Sequence, residues 1–381
     1  MKREFGKSVR RIVLKVGSAA LSTSGGQLDY QYIGKLARQI AEEMEHGIQV
    51  LLVTSGAVSA GLGELNLTER PRQLVAKQAL ASIGQGKLMH IYSEAFGKHG
   101  RKIAQLLLTR QDMEDRRRYL NARGTLEELL KRGVVPIINE NDTVTVDELK
   151  FGDNDFLSAI VAIKIGAQLL VIFSDVDGVY EHDPRKFPEA SVISEIGLVT
   201  EDVRALARKT PSKLGSGGMA SKLFAAGQAM QAGIGAVILN AREPDALSRV
   251  LKGEPLGTYF PPRGAARHRD RDHWIAFAAS TRDKRIVVDD GAKKALMQGH
   301  KSLLPAGVLE VLGEFKKGEV AEVCAPDGIR FAKGICRYDA AELHKIKGLK
   351  SSDLKKIFNM SDVPEVIHCD DLVIIETELE G

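Results

Sequence analysis

Short aliphatic runs recur along the first two-thirds of the chain, and each stops abruptly at polar residues. Arg11 to Leu14, Gln49 to Val53, Val134 to Ile138 and Gln168 to Phe173 are apolar without alternation, the pattern of strands buried on both faces. Stretches with helical character separate them, among them Tyr32 to His46, Asn121 to Arg132 and Phe156 to Ile165. Strand, helix and strand in alternation predict an α/β domain built on a mainly parallel sheet with helices covering it. Near Phe260 the texture changes. Pro261-Pro262-Arg263-Gly264-Ala265-Ala266 is rich in chain breakers, and Arg267 to Asp272 alternates basic and acidic residues, so residues 261–273 read as a linker. Past Trp274 come short β-like runs at Arg285 to Val288, Gly307 to Val311, Val320 to Val323 and Val373 to Ile375. Turns are expected at Asp289-Asp290-Gly291 and Asp327-Gly328, and a helix near Ser351 to Phe358. The expected layout is a catalytic domain over 1–260 and a small β-rich domain over 274–381.

Composition narrows the class. A chain of 381 residues with 44% hydrophobic content buries a sizeable core and divides naturally in two. No apolar stretch approaches the roughly 20 residues of a membrane span, and Met1-Lys2-Arg3-Glu4-Phe5 leads into a strand without a signal segment. A cytoplasmic location is expected. Cys324, Cys336 and Cys369 are few, odd in number and widely spaced, which argues for reduced packing residues over a disulfide framework or a zinc site.

The chemistry sits where the aliphatic runs end. Lys15-Val16-Gly17-Ser18, Thr54-Ser55-Gly56-Ala57, Asn139-Glu140-Asn141-Asp142 and Ser174-Asp175 follow predicted strands; Gly152-Asp153-Asn154-Asp155 precedes a helix; and a glycine-rich loop with a lysine runs from Gly215 to Lys222. In open α/β sheets ligands bind beyond the carboxyl ends of the strands. Phosphoryl transfer needs positioning, fixed cations and backbone N–H donors more than a covalent catalyst. Lys15 and Lys222 supply cations, while Gly17, Gly215, Gly217 and Gly218 allow backbone amides close to phosphate, with a helix expected to start near Met219. The bland alternative for the glycine run is a flexible surface loop.

Two familiar phosphate motifs do not apply. A P-loop places lysine directly after its second glycine, whereas three residues separate Gly218 from Lys222. Gly215 to Ala220 satisfies a dinucleotide-binding string, yet Lys209-Thr210-Pro211-Ser212-Lys213 before it is no strand. Asp153, Asn154 and Asp155 read either as caps of the helix that follows or as functional groups, with Asp155 salt-bridging both lysines and with Asp142 and Asn154 binding the acceptor. Of 9 histidines only His182 lies near a motif. A carboxylate acceptor needs no base, since an acid with a pKa of about 4 is already ionised at neutral pH. The residues therefore lean towards acyl-phosphate formation.

In this order the motifs resemble the amino acid kinase family, most specifically in Ile137 to Asp142, Phe151 to Asp155, and Gly217-Gly218-Met219 with Lys222. Gln105 to Arg110 and Asp112 to Arg116 also match its pattern, and the C-terminal part resembles a PUA domain. The resemblance covers nearly the whole chain and is strongest to the glutamate-phosphorylating bacterial members. It implies the three-layer αβα amino acid kinase fold and ATP-dependent phosphorylation of the L-glutamate γ-carboxylate to L-glutamyl 5-phosphate, the first step of proline biosynthesis, with Mg²⁺ and with no protein ligand assigned to the metal. It further implies that Lys15 and Lys222 stabilise the transferred group while Asp155 holds them, and that Ser55, Asp142 and Asn154 bind glutamate. Lys15, Ser174, Asp175 and the run Ser216, Gly217, Gly218, Met219, Ala220, Ser221 and Lys222 fall on nucleotide-binding positions. Ser174 and Ser216 stand where the family often has threonine. Inhibition by proline near Asp112, glutamyl phosphate reductase as pathway neighbour, and a homodimer or homotetramer are implied in the same way. Phosphorylation of aspartate, N-acetylglutamate, carbamate or a nucleotide remains open, because the phosphate machinery is shared.

The PUA resemblance raises RNA binding, which calls for a basic face. From Trp274 to Gly381 there are 12 lysines and 4 arginines against 9 aspartates and 9 glutamates, a net charge of −2. Only Lys345, Lys347, Lys350, Lys355 and Lys356 form a basic run. A role in assembly or regulation is favoured over RNA.

Overall fold

The computed structural model describes residues 3, 5, 9–23, 26–67, 69–145, 153–208, 218–263, 283–298, 301–349, 353–354 and 365–375, with the backbone alone at 153, 207 and 208. Ser216, Gly217, the 264–273 part of the linker, Trp274 and most of the helix expected near Ser351 to Phe358 lie outside them. The chain divides into two compact units, Met1–Ala266 and Arg267–Gly381.

In the first unit the strands are β1 (Arg11–Val16), β2 (Gln49–Val53), β3 (Ile103–Leu108), β4 (Val135–Glu140), β5 (Leu169–Ser174), β6 (Gly235–Asn240) and β7 (Thr258–Phe260). The helices are α1 (Ser18–Leu21), α2 (Tyr30–Glu45), α3 (Ala57–Glu64), α4 (Leu74–Gly97), α5 (Arg110–Glu114), α6 (Arg116–Lys131), α7 (Asp153–Lys164), α8 (Glu201–Arg208), α9 (Met219–Gln231) and α10 (Ala246–Leu251). The sheet runs β3-β4-β2-β1-β5-β6-β7, parallel throughout except for β7 against β6. From β1 the chain builds outward to β2 on one side, and later returns to lay β5 on the other. The carboxyl ends of β1 and β5 thus flank the point where strand order reverses, the usual crevice of such sheets.

Strand alternation divides the core. Ile12, Leu14 and Val16 point with Val50, Leu52, Val171 and Phe173 into a buried cluster that includes Ile33, Leu36 and Ile40 of α2 and Leu88, Tyr92 and Phe96 of α4. Lys15, between Leu14 and Val16, belongs to the opposite face, where α7 and α9 pack on the sheet and on each other.

Several strands outrun their aliphatic signal. Lys15, Asn139, Glu140 and Ser174 lie inside strands and not beyond them, because ladder hydrogen bonds do not depend on side-chain polarity. Likewise Asp153, Asn154 and Asp155 form the first turn of α7 instead of preceding it. Helix α6 starts at Arg116, five residues before the apolar pattern, because the Asp115 side chain accepts from the Arg118 amide. β3, β6 and β7 had no counterpart in the reading of the aliphatic runs.

The second unit holds β8 (Arg285–Val288), β9 (Val308–Leu312), β10 (Val320–Cys324), β11 (Arg330–Ile335) and β12 (Leu372–Ile374), with α11 (Asp290–Met297) and α12 (Ala340–Ile346). Its sheet order is β12-β11-β10-β8-β9. The turn at Asp327-Gly328 is present, with Gly328 at φ 82°. The turn expected at Asp289-Asp290-Gly291 is instead the start of α11, where the Asp289 carboxylate accepts from the Ala292 amide at 2.6 Å. Aspartate suits a turn and a helix N-cap equally, and the apolar spacing that follows decides. All three cysteines are free thiols, and burial raises Cys336 to about 12.

Helices α3 and α4 cross at glycine on both sides. A Cβ on Gly84 would lie 1.9 Å from the Ala57 carbonyl oxygen, and one on Gly61 would lie 2.1 Å from that of Leu80. Backbone cannot yield cheaply there. We expect Gly84→Ala to lower the stability of the first unit by about 1–3 kcal/mol, read as a reduced midpoint in urea unfolding; an unchanged midpoint would show that the crossing tolerates a methyl group.

Candidate active site at the carboxyl edge of the parallel sheet

Three charged side chains meet below the end of β1. Lys15 enters from the strand, Asp155 from the first turn of α7 and Lys222 from the first turn of α9. Lys15 Nζ lies 2.5 Å from Asp155 Oδ1, and Lys222 Nζ lies 3.3 Å from Oδ2. All three are nearly inaccessible, at 4%, 1% and 6% relative exposure for Lys15, Asp155 and Lys222. Ser221 places its Oγ 2.6 Å from Asp155 Oδ2. Burial would push the Asp155 carboxyl up, but the two ammonium groups and the hydrogen bonds outweigh it and hold the acid below its ordinary value. For Lys15 burial dominates, assisted by repulsion from Lys222, and lowers the ammonium against the pull of Asp155 and Asp175.

The loops around this centre are shaped by backbone demands. Gly17 caps α1 without a side chain, and a Cβ on it would stand 3.2 Å from Lys15 Nζ. Gly56 caps α3 at φ 103°, a left-handed conformation that favours glycine. Gly218 caps α9 in extended geometry, and a Cβ there meets no atom of the described residues within 4 Å. Among the described residues, neither strain nor crowding asks for glycine at Gly218. Met219 and Ala220 occupy the first turn of α9, whose leading amides have no intrahelical partner.

Beside the charged centre runs a line of amides. Asn154 donates from Nδ2 to Ser55 Oγ and to Asn139 Oδ1, both at 3.0 Å, and its Oδ1 accepts from the Glu140 amide at 3.1 Å. Asn139 Oδ1 also accepts from that amide, and its Nδ2 donates to Gln85 Oε1 at 2.9 Å. The backbone N–H of Glu140 therefore sets the orientation of every amide in the line. Gln85, from α4, is buried, and its Nε2 lacks a partner among the described residues. It appears in none of the sequence motifs. The available signal was a glutamine amid the buried positions Ala81 and Leu88 of one helix face. Asp142 follows β4 and is partly buried. At the end of β5 the Ser174 hydroxyl donates to Asp175 Oδ1 at 3.2 Å. Asp112 lies in α5, where it completes a capping box with Thr109 and accepts from Arg118 at 2.9 Å.

Among the described residues, one group of three His, Cys, Asp or Glu comes within reach of a single ion: His368, Cys369 and Asp370 of the second unit. Near Lys15 the Asp155 oxygens already serve lysines. That donor set fits a divalent ion carried by nucleotide phosphates, as Mg²⁺ commonly is, better than an all-protein cage.

These features are those of a phosphotransferase of the α/β class, and the chain belongs to the amino acid kinase family, whose profile matches residues 10–240. A PUA domain matches residues 284–358. Over 98% of its length the chain is 47% identical to the glutamate 5-kinase of Geobacter sp. (strain M21), covering all of that protein. It is 48% identical over 95% of its length to the glutamate 5-kinase of Herpetosiphon aurantiacus, covering 98% of it. The glutamate 5-kinase of Caldanaerobacter subterraneus is 45% identical over 96% of this chain and is likewise 98% covered.

The far end of α7 carries a third buried lysine. Lys164 Nζ sits 4.5 Å from the centre of the Tyr119 ring, and burial, only partly opposed by Glu114, lowers it to about 7. Between that value and about 10.4 for an unfolded lysine, the folded chain binds fewer protons than the unfolded one. Stability gained from this group therefore rises with pH across the window, by up to about 1.4 kcal/mol per unit. Lys164→Met should flatten the dependence of urea-unfolding free energy on pH between 7 and 9 relative to the parent. Identical slopes would mean that Lys164 titrates normally.

Proposed function

We propose that the first unit transfers the γ-phosphoryl group of ATP to the γ-carboxylate of L-glutamate, giving ADP and L-glutamyl 5-phosphate, the opening step of proline biosynthesis. The observation that carries this reading is the buried Lys15–Asp155–Lys222 bridge beside the Ser55–Asn154 pair. Two ammonium groups converge on one carboxylate, which places fixed cations where a polyphosphate would bind. Kinship to glutamate 5-kinases at 47% identity over 98% of the chain supports glutamate as acceptor.

A γ-carboxylate oxygen bonds to the γ-phosphorus as the bond from phosphorus to the β,γ-bridging oxygen breaks, and ADP carries away the electron pair. No proton moves, so no general base is required. Lys15 and Lys222 take the negative charge spread over the equatorial oxygens, and Asp155 aims both. Gly218 and the first turn of α9 leave room and amide donors for phosphate, with Ser216 and Gly217 completing the nucleotide loop, while Ser174 and Asp175 border the nucleotide at the end of β5. Mg²⁺, arriving with ATP, would supply neutralisation of the charge that develops on the leaving group. Ser55, Asp142 and Asn154 hold glutamate, the acid Asp142 suiting its ammonium group.

We further assign the catalytic domain to 1–260, the linker to 261–273 and the PUA domain to 274–381, with the enzyme working in the cytoplasm as a homodimer or homotetramer. Proline inhibits from the region of Asp112, and glutamyl phosphate reductase consumes the product. Among the described residues, no helix is long and apolar enough to cross a membrane.

The test is ADP release from Mg-ATP with each candidate acceptor, using hydroxylamine to trap acyl phosphate. Glutamate-dependent ADP with a γ-hydroxamate is expected; turnover with aspartate or carbamate instead would discard the acceptor and keep the phosphate site. Asn154→Ala should raise KM for glutamate by about 10–100-fold, the worth of a hydrogen bond to a charged group, and leave KM for ATP within about two-fold. Equal shifts in both would remove Asn154 from the acceptor pocket.

A further inference from the structure

Ser221 lies next to Lys222 in the first turn of α9, where a phosphate contact is the obvious assignment for its hydroxyl. Its surroundings point elsewhere. Ser221 is buried, and its Oγ is 2.6 Å from Asp155 Oδ2 and 2.8 Å from the Gly218 carbonyl oxygen. A hydroxyl has one proton to give, and the bond to an ionised carboxylate is the stronger of the two. The proton is therefore committed to Asp155.

Asp155 needs such a partner during turnover. In the free protein its carboxylate is neutralised by Lys15 at Oδ1 and Lys222 at Oδ2. On the reading proposed above, both ammonium groups turn part of their attention to phosphate oxygens when ATP binds. An almost fully buried carboxylate losing hold of two cations faces a large desolvation cost. We infer that Ser221 is a positioning residue that keeps the Asp155 carboxylate in place while both lysines engage the phosphoryl group. Because Ser221 precedes Lys222 in the first turn of α9, its bond to Asp155 ties that turn to the first turn of α7.

The charged groups facing Asp155 are Lys15 from β1 and Lys222 from α9, with Asp175 after β5 acting on Lys15. Ser221 adds a hydrogen bond that favours the ionised acid. Removing it takes away one of the interactions that favour the ionised acid.

The experiment compares steady-state kinetics of the full chain, Ser221→Ala and Ser221→Thr, with glutamate and Mg-ATP varied separately between pH 5.5 and 8. For Ser221→Ala we expect kcat to fall about 10–100-fold, the range for losing a charge-assisted hydrogen bond, with KM for ATP within about three-fold. Ser221→Thr keeps the hydroxyl and should restore most of kcat. A rise in KM for ATP at unchanged kcat would overturn the inference and return Ser221 to the nucleotide; so would an alanine variant indistinguishable from the parent. If the alanine variant proves insoluble, Ser221→Cys, of similar shape but a weaker donor, is expected to show an intermediate loss of kcat, and full activity there overturns the inference equally. Failure of the proposed reaction itself is separately visible, as a parent chain without glutamate-dependent turnover.

Discussion

One buried carboxylate organises the first unit. Asp155 is held between Lys15 and Lys222, and removing one member of such a cluster costs about 3–5 kcal/mol because it strands charge in a low-dielectric interior. Among the described residues two cations thus meet one anion, which ties the three side chains to one another. This convergence also explains why neither lysine is free to collapse onto solvent: the sheet, α7 and α9 each contribute one group, and their packing holds all three at the same depth.

The sheet provides the rigidity that this arrangement requires. β1 is the central strand, hydrogen-bonded to β2 and β5 over most of its length, and Lys15 sits one residue from its end. Alternation sends Leu14 into the α2 and α4 cluster and Lys15 to the α7 and α9 face. On the other side of the charged centre, the Glu140 amide dictates the orientation of Asn139, Asn154 and, through them, Ser55 and Gln85. A backbone donor inside a strand is a fixed reference, so the amide line and the charged centre are both aligned to the same sheet.

The second unit is a separate structure with its own core, in which Ile286, Val288, Val323, Phe331 and Leu343 are buried together. Its strands are less uniformly apolar than those of the parallel sheet, which is why β11 was not visible and why an aspartate pair at Asp289 was read as a turn. Its slight excess of acidic over basic residues does not make the face an RNA binder would need.

The sequence by itself determined the α/β class, the strands from Arg11, Gln49 and Gln168, and the polar residues that gather at their ends. These follow from local physics: unalternating aliphatic runs are stable only between two layers, and glycine beside lysine is costly unless the backbone must approach something. What only the tertiary structure decided is which polar groups meet. Asp153, Asn154 and Asp155 are equivalent as helix-starting residues; the turn of α7 alone directs Asp155 to the lysines and Asn154 to Ser55. Gln85 and Ser221 take their partners from residues 54 and 66 positions away in the chain, a distance over which no periodicity carries information. Edge strands β3 and β7 escaped for a related reason: their signal is short, and their identity as strands depends on the ladder bonds their neighbours offer.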